Sequence, residues 1–182
     1  EIGDFDALIQ LLTETHPSEA ARVSVQAWER FDQPRHLIQA LNLYVSRNQW
    51  AEVAALLKQL DSSPQAERHA LAPLRRNPDF LRLTGTYQQN IGNLPQARRD
   101  FEAGLMLAPD SAPMQQALLW LFIDSNDAAS LRRLLASREA AWQTDSSMHD
   151  ALASAYQALS LPQVALERYL SPRIGEHRND FL

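Results

Sequence analysis

Apolar residues return every three or four positions along almost the whole chain. In residues 94–107, "LPQARRDFEAGLML", Ala97, Phe101, Leu105 and Met106 fall at helical spacing with charged residues between them. That is the helical period of about 3.6 residues, and strand-type alternation is scarce. The pattern predicts short helices at residues 4–15, 18–31, 35–47, 50–61, 65–75, 78–90, 94–107, 112–125, 128–137, 147–159 and 162–170. Start signals separate them. Ser63-Pro64 and Asn77-Pro78 each read as an N-cap followed by proline at the first helical position. Ser147 with Asp150 reads as a capping box. Short joins between helices make antiparallel hairpins.

Two glycines disturb this pattern. Gly85 and Gly104 lie inside segments that otherwise read as helix, where glycine costs about 0.5–1 kcal/mol relative to alanine. A repeat accounts for them. Gly85, Ala97 and Phe101 recur 68 residues later as Ala153, Ala165 and Tyr169, and 68 is twice 34. A 34-residue frame set on residues 78–111 continues as 112–145 and 146–179. An earlier frame fits 34–67, with Leu37, Leu41, Tyr44, Trp50 and Leu57 at matching places. Residues 68–77 are then an insertion, and residues 1–33 a partial, degenerate repeat.

The frame 78–111 resembles a tetratricopeptide repeat. Leu81, Gly85, Ala97, Phe101, Gly104 and Pro109 fall where that family places its large, small, small, aromatic, small and proline residues. Gly92-Asn93-Leu94 resembles the family's turn between helices. Gln88 stands where an aromatic is usual, with Tyr87 one place early. Frame 146–179 matches through Leu152, Ala153, Tyr156, Ala165 and Tyr169. Frame 112–145 is degenerate, with Leu119 and Leu131 at the small positions. "LPQ" occurs at 94–96 and at 161–163, one residue out of phase, so the last turn is expected to be an inexact copy. The resemblance implies an all-α, right-handed α-solenoid, one continuous array over residues 1–182. Stacked hairpins bury what two short helices alone cannot. Gly3-Asp4-Phe5 resembles the turn before a second helix, and "SPRIGEHRNDFL" the approach to a further repeat. Flanking repeats are therefore expected, and the chain reads as part of a longer one.

The resemblance also implies a concave face lined by the first helix of each frame. Arg35, Asn42, Arg82, Gln89, Gln116, Trp120, Asp124, Asp150 and Gln157 fall at its positions. The face is polar with one aromatic, a composition suited to a protein or peptide partner. Trp120 either anchors that partner or packs into the neighbouring repeat. The set of Lys, Asn and Arg that holds a C-terminal carboxylate in some co-chaperones is missing around Arg82, Thr86 and Ala117.

Composition narrows the class of function. The net charge of −5 and pI of about 5.5 oppose a nucleic-acid footprint, which needs a basic stripe. There is no cysteine, which removes disulfides and thiolate metal sites and fits the cytosol or a periplasm. No apolar run approaches the roughly 18–20 residues of a membrane span. His16, His36, His69, His149 and His177 are scattered, without metal spacing. No phosphate-cradling glycine loop or nucleophile elbow appears. "DSSMHD" at 145–150 reads as helix-start chemistry rather than a metal loop. Arg75-Arg76, Arg98-Arg99 and Arg132-Arg133 read as solvated faces, and Trp28, Trp50 and Tyr169 as core. No enzyme, cofactor or metal is expected.

A narrower resemblance covers most of the chain. "HLIQALNLYVSRNQWAEVAALL", "QQALLWLFIDSNDAASLRRLL" and "DALASAYQALSLPQVALERYLSPR" are similar to the periplasmic repeat region of Pel-type exopolysaccharide export proteins of Gram-negative bacteria. That likeness implies a periplasmic solenoid ahead of an outer-membrane β-barrel. Its partner would be a PelA-like deacetylase/hydrolase, and the polymer would be brought to the export pore. Cellulose-export subunits share similar stretches, so an adaptor of another complex, a lipoprotein or a cytosolic scaffold remain open. So does direct binding of polysaccharide along the groove.

Overall fold

Prolines mark the beginnings of the helices. Pro17, Pro34 and Pro78 take the first helical position, and Pro95 and Pro113 the second. There the missing N–H has no helical partner to lose, and the ring presets φ. The computed structural model describes residues 1–62, 71–165 and 167–168. Helices α1 (Ile2–Thr15), α2 (Pro17–Phe31), α3 (Pro34–Ser46), α4 (Trp50–Ser62), α5 (Leu71–Leu74), α6 (Pro78–Asn90) and α7 (Leu94–Leu107) come first. Next are α8 (Ala112–Asp124), α9 (Ala128–Trp142), a 3₁₀ turn (Ser146–Met148), α10 (His149–Ala158) and α11 (Pro162–Ala165). Among the described residues there is no strand. The all-α hairpin fold is the one expected.

Two compact units divide the chain, Glu1–Pro109 and a second beginning at Asp110. In the first, α1 packs on α2, α2 on α3, α3 on α4 and α6, and α6 on α7. Its core gathers Leu37, Leu41 and Tyr44 of α3, Val53, Leu56 and Leu60 of α4, and Phe80 and Leu83 of α6. Trp28 is buried and Trp50 packs against the same cluster. In the second unit α8 packs on α9 and α10, and α10 on α11. Leu119, Leu131, Leu152, Ala153 and Ala165 are buried there.

Four hairpin turns share one backbone design. Asn48, Gly92, Asn126 and Ser160 all have positive φ, between 54° and 80°. Each sits just past a helix end. The N–H of that residue returns to a carbonyl three residues back, as in Gly92 to Gln89 at 3.0 Å and Ser160 to Gln157 at 2.9 Å. The next N–H reaches five residues back: Gln49 to Tyr44, Asn93 to Gln88, Asp127 to Phe122, Leu161 to Tyr156, all at 2.8–2.9 Å. This is the Schellman closure, which satisfies the orphan carbonyls of a helix end. Gly92, Asn126 and Ser160 stand 34 residues apart, and Asn48 precedes Gly92 by 44, one frame and ten further residues.

The last turn is therefore a faithful backbone copy, which corrects the expectation from the shifted "LPQ". Leu94 is the first residue of α7, whereas Leu161 precedes α11 and Pro162 opens it. Proline is tolerated at either of the first two helical positions, so the motif slides without moving the turn. Ser160 has no special claim on a left-handed backbone. Ser160→Gly is expected to stabilise the second unit by about 0.5–1 kcal/mol, and Asn126→Gly by less, because Asn tolerates that region. Denaturant unfolding of the two variants checks the order.

Other boundaries differ from expectation. Residues 3–5 lie in the first turn of α1, not in a turn before it. Helix α9 runs to Trp142, five residues past the predicted end at 137, because Trp142 is buried there. Ser147 is not the cap of a box with Asp150. Asp145 takes that role, accepting from the Ser147 N–H at 3.0 Å and hydroxyl at 2.7 Å, an Asx turn that pre-empts it. Asn77 caps α6 as expected, its Oδ1 accepting from the Phe80 N–H at 3.0 Å. The Ser63-Pro64 cap and Tyr169 lie outside the described residues.

Candidate functional site

The small and large residues of the repeat pattern place the first helices. Gly85 is buried, and a Cβ built on it would stand 2.5 Å from Phe101 Cε1. Ala97 and Phe101 are fully buried, Gly104 is buried beside them in α7, and Leu81 is buried in α6. Pro109 is exposed. Gly92 has open space around it and is required by its φ of 80°. In the second unit the Tyr156 hydroxyl donates to Glu139 Oε2 at 2.7 Å. Burial, then that carboxylate, pushes the phenol up to about 12.

With those contacts made, α3 and α6 lie side by side. Between them is an open cleft of about 530 Å³ lined by Arg35, Ile38, Asn42, Asn77, Asp79 and Arg82. Three of the nine sequence-derived groove residues, Arg35, Asn42 and Arg82, thus share one concavity. Arg82 Nη2 donates to Asn42 Oδ1 at 3.3 Å, a long bond, while its Nε is buried without a hydrogen-bond partner. Arg35 is anchored at the edge, donating Nη2 to Asp6 Oδ2 at 2.8 Å. The other oxygen of Asp6 accepts from Nε2 of His36 at 2.8 Å, and His36 is only 1% exposed. A carboxylate offers no proton, so Nε2 carries it. The His36 hydrogen bond first, and the Arg35 charge after it, hold the Asp6 carboxyl below its ordinary range. Asp6 and His36 were not readable as a pair, since they come from different helices 30 residues apart. Gln89, half-buried farther along α6, is outside the lining of the cleft.

In the second unit Gln116, Trp120 and Asp124 mark successive turns of α8. Leu118, Leu119, Leu121 and Phe122 of the same helix are buried, but Trp120 is 36% exposed. Asp150 and Gln157 are exposed on α10, which packs against α8.

A second concavity, about 460 Å³, lies among α4, α6 and α7 and is lined by Leu57, Phe80, Tyr87 and Asp100 among others. Burial raises the Asp100 carboxyl, against hydrogen bonds from Gln96 and Thr84. Among the described residues no group of three or more His, Cys, Asp or Glu could hold a metal, and no helix is long and apolar enough to cross a membrane.

The chain is similar to a thermophilic TPR protein of Thermus thermophilus whose crystal structure matches over 100% of both chains, with a TM-score of 0.59 and 18% identity. No curated protein sequence matches. The tetratricopeptide repeat model matches residues 1–182. With three turns in register on a 34-residue frame, a fourth of the same design ten residues off it, and a family match along its whole length, the chain belongs to the tetratricopeptide repeat family.

Proposed function

We propose that this chain is a non-catalytic docking scaffold, and that the cleft between α3 and α6 is where a protein partner's acidic or carbonyl groups are received. One observation carries the reading. Arg82 is held in an open cleft with a buried, unpartnered Nε and only a long bond from Nη2. A guanidinium presents five donors in a fixed fork, and its terminal N–H groups, which face the cleft with only the 3.3 Å bond to Asn42, gain from a partner that supplies acceptors.

The finer reading rests on the sequence resemblance to PelB, the outer-membrane export protein of the Pel system. On it the scaffold is periplasmic. It docks a PelA-like deacetylase/hydrolase and helps to bring the exopolysaccharide to an outer-membrane porin. Biolayer interferometry with an immobilised PelA-like enzyme tests both levels. Arg82→Ala is expected to weaken capture about tenfold, or about 1.4 kcal/mol, with the thermal transition unchanged. Wild-type affinity in that variant removes the cleft from the interface. No capture of the enzyme by the wild-type chain removes the export reading.

A further inference from the structure

We propose that Asp6, which stands outside the cleft between α3 and α6, sets how many acidic groups that cleft accepts. It keeps Arg35 occupied at the edge, so the cleft takes a partner segment with one carboxylate and gains nothing from a second. The proposal rests on the docking reading and names the charge pattern the partner must present.

Three observations converge on it. First, the two arginines of the cleft are not equivalent. Arg82 donates to the Asn42 amide oxygen, whereas Arg35 Nη2 donates to a carboxylate, Asp6 Oδ2, at 2.8 Å. A partner carboxylate that reached Arg35 would lie close to Asp6, and like charges at short range repel. Second, Asp6 has an anchor of its own. Its other oxygen accepts from Nε2 of His36 at 2.8 Å, and that ring is buried on α3. The His36 hydrogen bond does more than Arg35 to hold the carboxyl below its ordinary range, so Asp6 does not depend on Arg35 to stay ionised. The Arg35–Asp6 pair is open to solvent, with side chains 56% and 40% exposed, and exposed pairs are weak. The carboxylate is thus the fixed member, and Arg35 the one that can be released. Third, the charges around the cleft balance. Asp79 lines it together with Arg35 and Arg82, and Asp6 at the edge makes two carboxylates against two guanidiniums. One partner carboxylate is served by Arg82. A second has only Arg35 to turn to, and Asp6 and Asp79 oppose it.

Asp6→Asn separates the two contacts of this residue. The amide oxygen still accepts from His36, while the amide nitrogen is a donor and releases Arg35.

Fluorescence anisotropy with two labelled octapeptides of Gly and Ser tests this, one carrying a single Glu and the other two Glu spaced two residues apart. The wild-type chain is expected to favour the two-Glu peptide by no more than about twofold, the statistical factor. Asp6→Asn should raise the affinity for the two-Glu peptide about fivefold and for the single-Glu peptide less than about twofold. Glu14→Gln, which removes an exposed carboxylate from the same helix, should leave both affinities unchanged, so that release of Arg35 is separated from a change in net charge. Arg35→Ala should leave wild-type binding unchanged, yet erase the gain of Asp6→Asn. Arg35→Ala keeps Asp6 and His36 in place, so it reads the proposal even where Asp6→Asn lowers the melting temperature. Equal gains for the two peptides in Asp6→Asn overturn the proposal. So does weaker binding in that variant, or a loss of twofold or more from Arg35→Ala alone. If Arg82→Ala weakens the single-Glu peptide while Asp6→Asn leaves the ratio of the two affinities unchanged, docking stands and this inference falls. If Asp6→Asn admits the two-Glu peptide through Arg35 while Arg82→Ala has no effect, the control by Asp6 stands and the assignment of docking to Arg82 falls. Absence of binding by either peptide, to the wild type and to Asp6→Asn alike, removes both.

Discussion

Gly85→Ala is expected to destabilise the first unit by about 1–3 kcal/mol, although alanine is the better helix former. On propensity alone the change should gain about 0.5–1 kcal/mol. The new methyl would meet Phe101 Cε1 at 2.5 Å and Cδ1 at 2.6 Å, far inside contact distance. A ring at the surface could swing away. Phe101 is 0% exposed, so its ring can move only by pushing other buried side chains, and packed interiors resist that. For a unit of this size each kcal/mol lowers the melting temperature by roughly 4–8 °C. Gly85→Leu should do more and separate α6 from α7. Gln88→Tyr is the contrast. Gln88 borders the open concavity among α4, α6 and α7, and the same frame position holds Tyr44, Phe122 and Tyr156 in the other repeats.

The partner of the clash identifies the mechanism. Phe101→Leu alone should cost about 1 kcal/mol or more through the volume lost. Combined with Gly85→Ala it should cost less than the two changes summed, because the narrower side chain makes room for the methyl. Two other repeats already hold such a combination, Leu41 with Leu57 and Leu119 with Leu135 at the corresponding places. Denaturant unfolding of the four proteins reads the coupling. A Gly85→Ala variant as stable as the parent, or strictly additive changes, would show that the glycine answers to something other than the Phe101 ring.

This pair also explains what was legible in advance. Gly85, Ala97 and Phe101 recur with their repeat, and the resemblance of that repeat to the tetratricopeptide pattern marked Gly85 as a close helix contact. The turn at Gly92 was nearly as clear, because a Schellman closure needs one residue with positive φ, whereas Asn48, Asn126 and Ser160 take the same backbone without having been marked as turn residues. Polar pairs between helices leave no such trace. Asp6 with His36 spans 30 residues and Gln115 with Trp142 spans 27, and neither separation is a helical or repeat period. The exposure of Trp120 was unreadable for a different reason. Helix α8, "APMQQALLWLFID", is apolar on nearly every side, so no stripe says which residue meets solvent. Arg35 and Arg82 could be assigned to a face through the repeat frame, but the tether of Arg35 to Asp6 could not.

Gln115→Leu is expected to destabilise the second unit by about 1–3 kcal/mol, for a change that adds apolar surface to a buried site. Trp142 Nε1 donates to Gln115 Oε1 at 2.6 Å, and the two residues are 4% and 5% exposed. Leucine leaves the indole N–H buried with its acceptor gone, and that desolvation is the expense. The damage should not stay local. The last turn of α9, which Trp142 holds down, also carries Glu139, the acceptor for the Tyr156 hydroxyl at 2.7 Å and for Arg168 at 3.1 Å. Fraying of α9 from Trp142 backwards loosens α10 as well, so amide exchange should quicken at residues 139–143 and around Tyr156 together. Adding Trp142→Phe removes the stranded donor. The double variant should be less destabilised than the single effects summed, by about 1 kcal/mol. If instead the changes add, and exchange rises only beside Gln115, then Trp142 is held by its apolar area alone and the extra turn of α9 needs no hydrogen bond to form.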